Sequence, residues 1–540
     1  MTEPNSYSGI PLKAFYRPED SAADDNTPEA YARHLNDPGA FPFTRGNRVN
    51  NSAWIQRELS GEGDPVRSNE QFQYLLSHGQ TGIDVIGDAP TMSWMDPDHP
   101  LSRHAVGTQG VSVCTADDYR ALYHNLPLDK ISVSNSLPAP FAIAGLFLTA
   151  REAGVDPRVL RGSVVQFVLY GEDCSYAVNL PLPLRLRLAC DSIMFCSREM
   201  PRFHSFLEDT YYISEAGLDA VEEMAMGFVE IRYVVRELLR RGVDIDSFAP
   251  RIAFLVNCRM DLFEEIAKIR ASRRLFARMM QEEFGAQDPR SLSIVVSSHT
   301  SGLCLTAQQP FNNIARGALQ ALALALAGVQ AVEISAFDEA YRTPSPESHL
   351  VGLRTQQVIQ RETNVNQVTD PLGGSYFMES LTDQIEARIE QMVDEIERAG
   401  DPGRLADDGW FKGIFINAME RYARGVDTGT VPKVGVNTLQ LPPEQDTLLK
   451  DVAERKIEPC HDRIAALAAH RVNRPQAPCH AALAALQAAA RDPEADLMGP
   501  IVAAMEAGAT MGEMVGIMRR VYGMPYDPFN MVQAPIPAEG

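Results

Sequence analysis

Ser293-Ile294-Val295-Val296, then Arg316–Gly328 (RGALQALALALAG), then Ala331-Val332-Glu333-Ile334 is the stretch that decides the fold. A short β-branched run, a long apolar segment and a second short apolar run read as strand, helix, strand. Arg316–Gly328 is apolar on nearly every face and is expected to be buried. Working outward, further short apolar runs stand at Ile83–Ile86, Ile131–Val133, Val164–Leu169, Phe203–Phe206 and Ile252–Val256, with a weaker one at Ser375–Met378. The segments between them look helical. Leu381–Ala399 is amphipathic, with Ile385, Ile389, Met392 and Ile396 on one side and a Ser380-x-x-Asp383 cap. Eight such units fit an α/β fold of the (β/α)8 TIM-barrel type. An open doubly wound sheet gives the same alternation, so periodicity alone leaves both open.

Around this core, residues 1–60 are rich in Pro, Asp, Asn and Ser and read as an N-terminal arm that is ordered only by lying against something else, here partner subunits. Residues 61–425 hold the barrel units. Residues 426–540 carry a Pro-containing connector and Ala-rich helical stretches at Ala465–Ala469 and Ala481–Ala490. The formal charge of −22 argues against nucleic acid or an anionic membrane as partner. The eight cysteines show no C-x-x-C spacing, and the N-terminus has no signal-like segment. Reduced thiols in a cytoplasm are the reading. No long apolar run suggests a membrane span.

The motif scan finds no G-x-x-x-x-G-K-S/T, H-E-x-x-H, G-x-S-x-G or post-strand G-x-G-x-x-G, so no metal site is expected. His299 in Ser297-Ser298-His299-Thr300-Ser301-Gly302 and Glu339 in Phe337-Asp338-Glu339 each follow a strand, where barrel active sites form. The bland alternatives are a histidine satisfied by a neighbouring carbonyl and a carboxylate capping a helix. Tyr211-Tyr212 after the fourth strand is, as a bare pair, more often core than site.

Several stretches together resemble the large subunits of the methylmalonyl-CoA mutase family. They are Ser8-Gly9-Ile10-Pro11, Phe41-Pro42-Phe43-Thr44-Arg45-Gly46, Ser214-Glu215-Ala216-Gly217, Phe248-Ala249-Pro250-Arg251, Thr300-Ser301-Gly302 with Leu305-Thr306-Ala307-Gln308, Phe337-Asp338-Glu339-Ala340, Arg361-Glu362-Thr363-Asn364 continuing to Asp370-Pro371-Leu372-Gly373-Gly374-Ser375, and Thr510-Met511-Gly512-Glu513-Met514. They run in order from Ser8 to Tyr526.

The resemblance implies a barrel threaded by an acyl-CoA, with adenosylcobalamin across the strands' C-terminal ends, and a radical 1,2-rearrangement whose hard chemistry the cofactor carries. The family's D-x-H-x-x-G motif, which supplies the lower cobalt ligand, is not found. The resemblance therefore implies a separate small cobalamin-binding subunit carrying it, in a hetero-oligomer of two large and two small subunits, as in the isobutyryl-CoA and 2-hydroxyisobutyryl-CoA mutases.

On the cofactor side it places Gly61 close to the adenosyl group. Glu215, Gly302 and Ala340 line the corrin, His299 faces it in place of a Gln, and Glu339 accepts from the adenosyl ribose. For the glycines, plain turn chemistry is the alternative. On the substrate side the pattern departs. Leu59 stands for a wedged Tyr, Ser175 for the carboxylate-binding Arg, Val165 or Gln166 for a Gln, and Tyr212 for the His on the thioester, while Tyr211 is kept. Losing the Arg leaves a substrate carboxylate unpaired, at about 3–5 kcal/mol, so a dicarboxylic acyl group is expected to be rejected. Arg251 and Arg290 fall on CoA-phosphate positions, while Ser52 replaces another phosphate-contacting Arg. Either an acyl-CoA or a carrier-protein thioester is thus expected, and a non-catalytic scaffold of the same family is the rival reading.

Overall fold

The computed structural model describes residues 5–13, 17, 20, 27–49, 53–174, 179–442, 444–446 and 457–537. Among these the strands are β1 (Ile55–Gln56), β2 (Leu59–Ser60), β3 (Gly82–Ile86), β4 (Ser132–Ser136), β5 (Arg161–Gln166), β6 (Phe203–Asp209), β7 (Ile252–Cys258), β8 (Val295–Thr300) and β9 (Ala331–Glu333). Parallel strands with intervening helices give the α/β TIM-type barrel class that the sequence predicts. The chain forms two compact units, Met1–Glu58 with Glu208–Arg455, and Leu59–Leu207 with Lys456–Gly540.

In the first unit the strands run in the order β1-β9-β8-β7. Ala253 pairs with Val295, Ser297 with Ala331 and Ile55 with Ala331. The helix Asn312–Ala327 crosses between β8 and β9, and Gly328 closes it in the left-handed conformation that glycine adopts without penalty. That helix is buried on one side only. Ala321, Ala323 and Leu324 are inside, whereas Leu319 is 48% exposed, so the expectation of all-round burial fails.

The predicted strand at Ser375–Met378 is also absent. Ser375 is the N-cap of the helix Tyr376–Ala399, its hydroxyl accepting from the Met378 amide, so that helix begins ahead of the expected Ser380 cap. Just before it, Asp370 accepts from the guanidinium of Arg45 at 3.1 Å and pairs with that of Arg270, and Arg270 also grips Glu379 at 2.6 and 2.7 Å. Two of the quoted motifs, around Arg45 and around Asp370, thus meet at one buried ionic network. The arm is ordered here as well: Ser8 donates through its amide and hydroxyl to Glu264, and Arg388 donates to the Ser8 carbonyl.

The second unit orders its strands β2-β3-β4-β5-β6. Leu59 pairs with Asp84, Ile83 with Val133 and Ser132 with Arg161. Its core joins Phe141, Ile143 and Leu146 to Leu483, Leu486, Ile501 and Met514, so the C-terminal helices, read from the Ala-rich stretches, share the core of these strands. All eight cysteines are free thiols. Among the described residues no helix is long and apolar enough to cross a membrane.

Candidate active site

In the first unit the decisive side chains stand just past the C-terminal ends of their strands. Asp209 closes β6 and caps the short helix Thr210–Glu215, accepting from the Tyr212 amide at 3.1 Å. That cap aligns Tyr211, Tyr212 and Glu215. β8 delivers His299, and the turn after it carries Ser301 and Gly302. β9 leads to Glu339, whose carboxylate accepts from the Ala336 amide at 3.1 Å, followed by exposed Ala340.

These groups converge. A Cβ added at Gly302 would lie 3.3 Å from Glu215 Oε2, 3.4 Å from Glu339 Oε1 and 3.6 Å from the Tyr211 hydroxyl. Glu215 is pinned by Asn257 Nδ2 at 2.8 Å, the Ser301 hydroxyl at 2.5 Å and the Leu303 amide at 2.7 Å. Glu215, Gly302 and Glu339 are each partly exposed, and the two carboxylates flank the glycine. Burial holds Glu339 above the usual carboxylate range, with His299 opposing and Glu215 adding. Burial, reinforced by Glu215 and Glu339, likewise keeps the Tyr211 phenol protonated and available as a donor.

His299 stacks edge-on against Tyr211 at 4.7 Å. Its Nδ1 meets the Thr300 carbonyl at 2.9 Å, as the bland alternative anticipates, and its Nε2 stands 3.9 Å from Glu333 with no hydrogen-bond partner among the described residues. Glu333 is claimed by Arg57 at 2.5 Å, and Arg57 also donates to the Ser297 hydroxyl at 2.7 Å. Both members are nearly fully buried, and sequence reading assigns neither.

Beside them Glu58 is fully buried, accepts from Gln356 at 2.9 Å and occupies space left by Gly352, whose added Cβ would lie 2.6 Å from its Oε2. Burial first, then Glu333 and Glu339, push Glu58 well above the carboxylate range. A carboxyl whose folded pKa is raised holds its proton where the unfolded chain has lost it, so its contribution fades as pH rises above the ordinary value. Glu58→Gln is therefore expected to melt a few degrees higher than wild type at pH 7, the gap closing below about pH 4.5. Melting curves across pH check this, and a gap independent of pH refutes it.

The phosphate candidates lie at the opposite strand ends. Arg251 ends the 3-10 turn leading into β7 and is partly exposed; Arg290 precedes β8, 74% exposed and paired with Asp288 at 2.6 Å. In the second unit Gly61 follows β2, and an added Cβ there would sit 2.4 Å from the Ile86 carbonyl, so only glycine permits the approach. Leu59 is on β2. Val165 and Gln166 end β5, with Gln166 donating to the Ser205 carbonyl at 2.9 Å. Ser175 lies outside the described residues.

Val165 and Gln166 line a small cavity of about 30 Å³ with Trp94, Phe167, Leu188 and Arg185. Arg185 comes from the first turn of the helix Leu182–Glu199. Its Nε and Nη1 are buried and without a hydrogen-bond partner among the described residues. Sequence reading misses this arginine.

The family model described as methylmalonyl-CoA mutase matches residues 5–524. The 2-hydroxyisobutanoyl-CoA mutase large subunit of Aquincola tertiaricarbonis is 33% identical over 497 residues, which cover 90% of this chain and 87% of that protein. Methylmalonyl-CoA mutase of Escherichia coli (strain K12) is 34% identical, covering 88% of this chain and 67% of its own. The mitochondrial methylmalonyl-CoA mutase of Homo sapiens is 31% identical, covering 95% and 68%. The chain belongs to the methylmalonyl-CoA mutase family, whose members are cobalamin-dependent isomerases that rearrange acyl-CoAs.

Proposed function

We propose that this chain is the substrate-binding subunit of an adenosylcobalamin-dependent mutase acting on an acyl thioester other than methylmalonyl-CoA, the lower cobalt ligand coming from a separate small subunit with a D-x-H-x-x-G motif. The convergence of Glu215, Glu339 and Tyr211 around the bare Cα of Gly302 carries the reading. Space that a single Cβ would fill, rimmed by two acceptors, fits a cofactor whose periphery offers amide and hydroxyl donors. Glu339 and Glu215 would accept from it, with Ala340 permitting close approach. When bound, the cofactor supplies radical hydrogen-abstraction chemistry. The protein's part is to hold, orient and keep water out. Tyr211 and the half-buried Tyr212 donate to the thioester oxygen, and Arg251 and Arg290 suit the CoA phosphates.

Arg185 sets the acyl preference. A guanidinium with two donors unmatched among the described residues, beside room for one or two waters, favours an acyl group bearing a hydroxyl there. The similarity to a 2-hydroxyisobutanoyl-CoA mutase large subunit supports the same choice. Arg185→Met is expected to lower kcat/KM for a 2-hydroxyacyl-CoA by about ten- to a hundredfold while changing that for the plain branched acyl-CoA far less. Equal losses on both substrates would refute the assignment. The mutase reading itself is tested by anaerobic mixing with the small subunit, adenosylcobalamin and a panel of acyl-CoA and carrier-bound thioesters. Isomerised product with a cobalamin absorbance change is expected; no cofactor binding under any pairing would point to a scaffold.

A further inference from the structure

A second cavity, of about 290 Å³, opens within the first unit and is lined by Arg259, Arg316, Lys433, Tyr7, Tyr422 and Cys304, among others. Arg259 is 7% exposed. Its Nη2 donates to the Ser214 carbonyl, while Nε and Nη1 have no hydrogen-bond partner among the described residues. The rings of Tyr7 and Tyr422 flank the guanidinium at 5.2 and 5.7 Å, and the Lys433 ammonium stands 5.3 Å from the Tyr422 ring. Such faces attract a cation, and the Tyr7 hydroxyl lies close enough to act on the guanidinium as a weak acceptor.

The other two cations are spent on neutral oxygens. Arg316 donates to Thr306 Oγ1 at 2.9 Å, Asn313 Oδ1 at 2.6 Å and the Val434 carbonyl at 2.9 Å, and Lys433 donates to the Leu303 carbonyl. None of the three forms a salt bridge to a described carboxylate. The two acids on the cavity wall are committed elsewhere: Asp261 accepts from the Tyr7 and Glu264 amides, and Glu265 pairs with Lys268 at 2.5 Å. Burial draws Lys433 and Arg316 below their usual range, whereas burial of Arg259 is outweighed by Tyr7, Cys304, Glu215 and Glu265 around it, which hold it above its own. Three cations on one cavity, one of them buried with two unmatched donors, are a costly arrangement for a structural role alone.

We infer that this cavity is a binding site for a small organic oxyanion, a carboxylate or phosphate monoester carried on an apolar or aromatic body. The oxyanion would take the free edge of Arg259, with Lys433 and Arg316 supplying field, and the body would lie against Tyr7, Tyr422 and the Val431-Pro432 wall. The site is separate from the Glu215–Gly302–Glu339 cluster, although Ser214, whose carbonyl holds Arg259, directly precedes Glu215.

The test is calorimetric titration and melting of the full chain with phenyl phosphate, benzoate, inorganic phosphate and neutral benzyl alcohol. The two aromatic oxyanions are expected to bind and raise the melting temperature, inorganic phosphate to bind more weakly, and benzyl alcohol not at all. Arg259→Ala is expected to weaken phenyl phosphate by about thirtyfold or more, and Lys433→Ala by severalfold. No oxyanion binding at millimolar concentration, or benzyl alcohol binding as well as phenyl phosphate, overturns the inference. So does wild-type affinity in either variant. Should Arg259→Ala fail to fold, Lys433→Ala decides alone, and unaltered affinity there is equally fatal.

Discussion

Gly302→Val is expected to abolish most turnover, by about a hundredfold or more, while the chain still folds. The first added carbon already stands 3.3 to 3.6 Å from three polar atoms, and valine places two methyl groups beyond it. Glu215 cannot yield, because Asn257, Ser301 and the Leu303 amide hold both of its oxygens. Glu339 and Tyr211 are the groups displaced, and a shift of about 1 Å at a reacting centre is enough for a loss of that size. Folding is spared because the turn after β8 is partly exposed and asks for no glycine-only backbone angle at this position. Steady-state turnover, cobalamin binding and a melting curve separate the possibilities. A Gly302→Val enzyme with wild-type turnover would mean the carboxylate pair has no part in the reaction. Loss of turnover matched by a collapsed melting temperature would mean the glycine is structural.

The alternation of strands and helices from Ile83 to Ile334 is legible in the sequence because each strand is a compact apolar run set off from the next by a longer helical segment. β1 and β2 are not legible: two residues each, they have no period, and their pairing partners Ala331 and Asp84 are remote in the chain. Ser375–Met378 misleads in the opposite way. Its aromatic and apolar residues favour a strand, whereas the serine hydroxyl caps a helix and Met378 is buried on that helix's inner side. In the site, Glu215, Gly302 and Glu339 are legible through the family resemblance, and the structure brings them together. Arg57, Arg185, Arg259 and Lys268 are not. A cation in a single sequence is by default a surface residue, and only tertiary packing shows that these four are wholly or largely enclosed.

Lys268→Met is expected to cost about 3–5 kcal/mol, lowering the melting temperature by roughly 3–5 °C. Its side chain is fully buried, and its ammonium meets Glu223 at 2.9 Å, Glu265 at 2.5 Å and the Asn257 carbonyl at 2.8 Å. Removing it strands two carboxylates that are themselves almost without solvent. Burial already holds Glu223 above its ordinary range, against the pull of Lys268, and without the ammonium that displacement must grow. A carboxyl with a raised folded pKa is stabilising while protonated and loses that contribution as pH rises, so the deficit should be largest at neutral pH and shrink toward pH 5. Adding Glu223→Gln and Glu265→Gln to Lys268→Met should recover at least half of the loss, because neutral amides tolerate burial that carboxylates do not. The damage should also reach the active site. Glu223 accepts from the Asn257 amide at 3.0 Å, and the Asn257 side chain is one of the three donors on Glu215. Turnover should therefore fall even at temperatures where the variant is fully folded, and the triple variant should regain stability before it regains rate. A single variant that melts with wild type at neutral pH would show that water reaches these charges, and the ionic support beneath Glu215 would then have to be sought elsewhere.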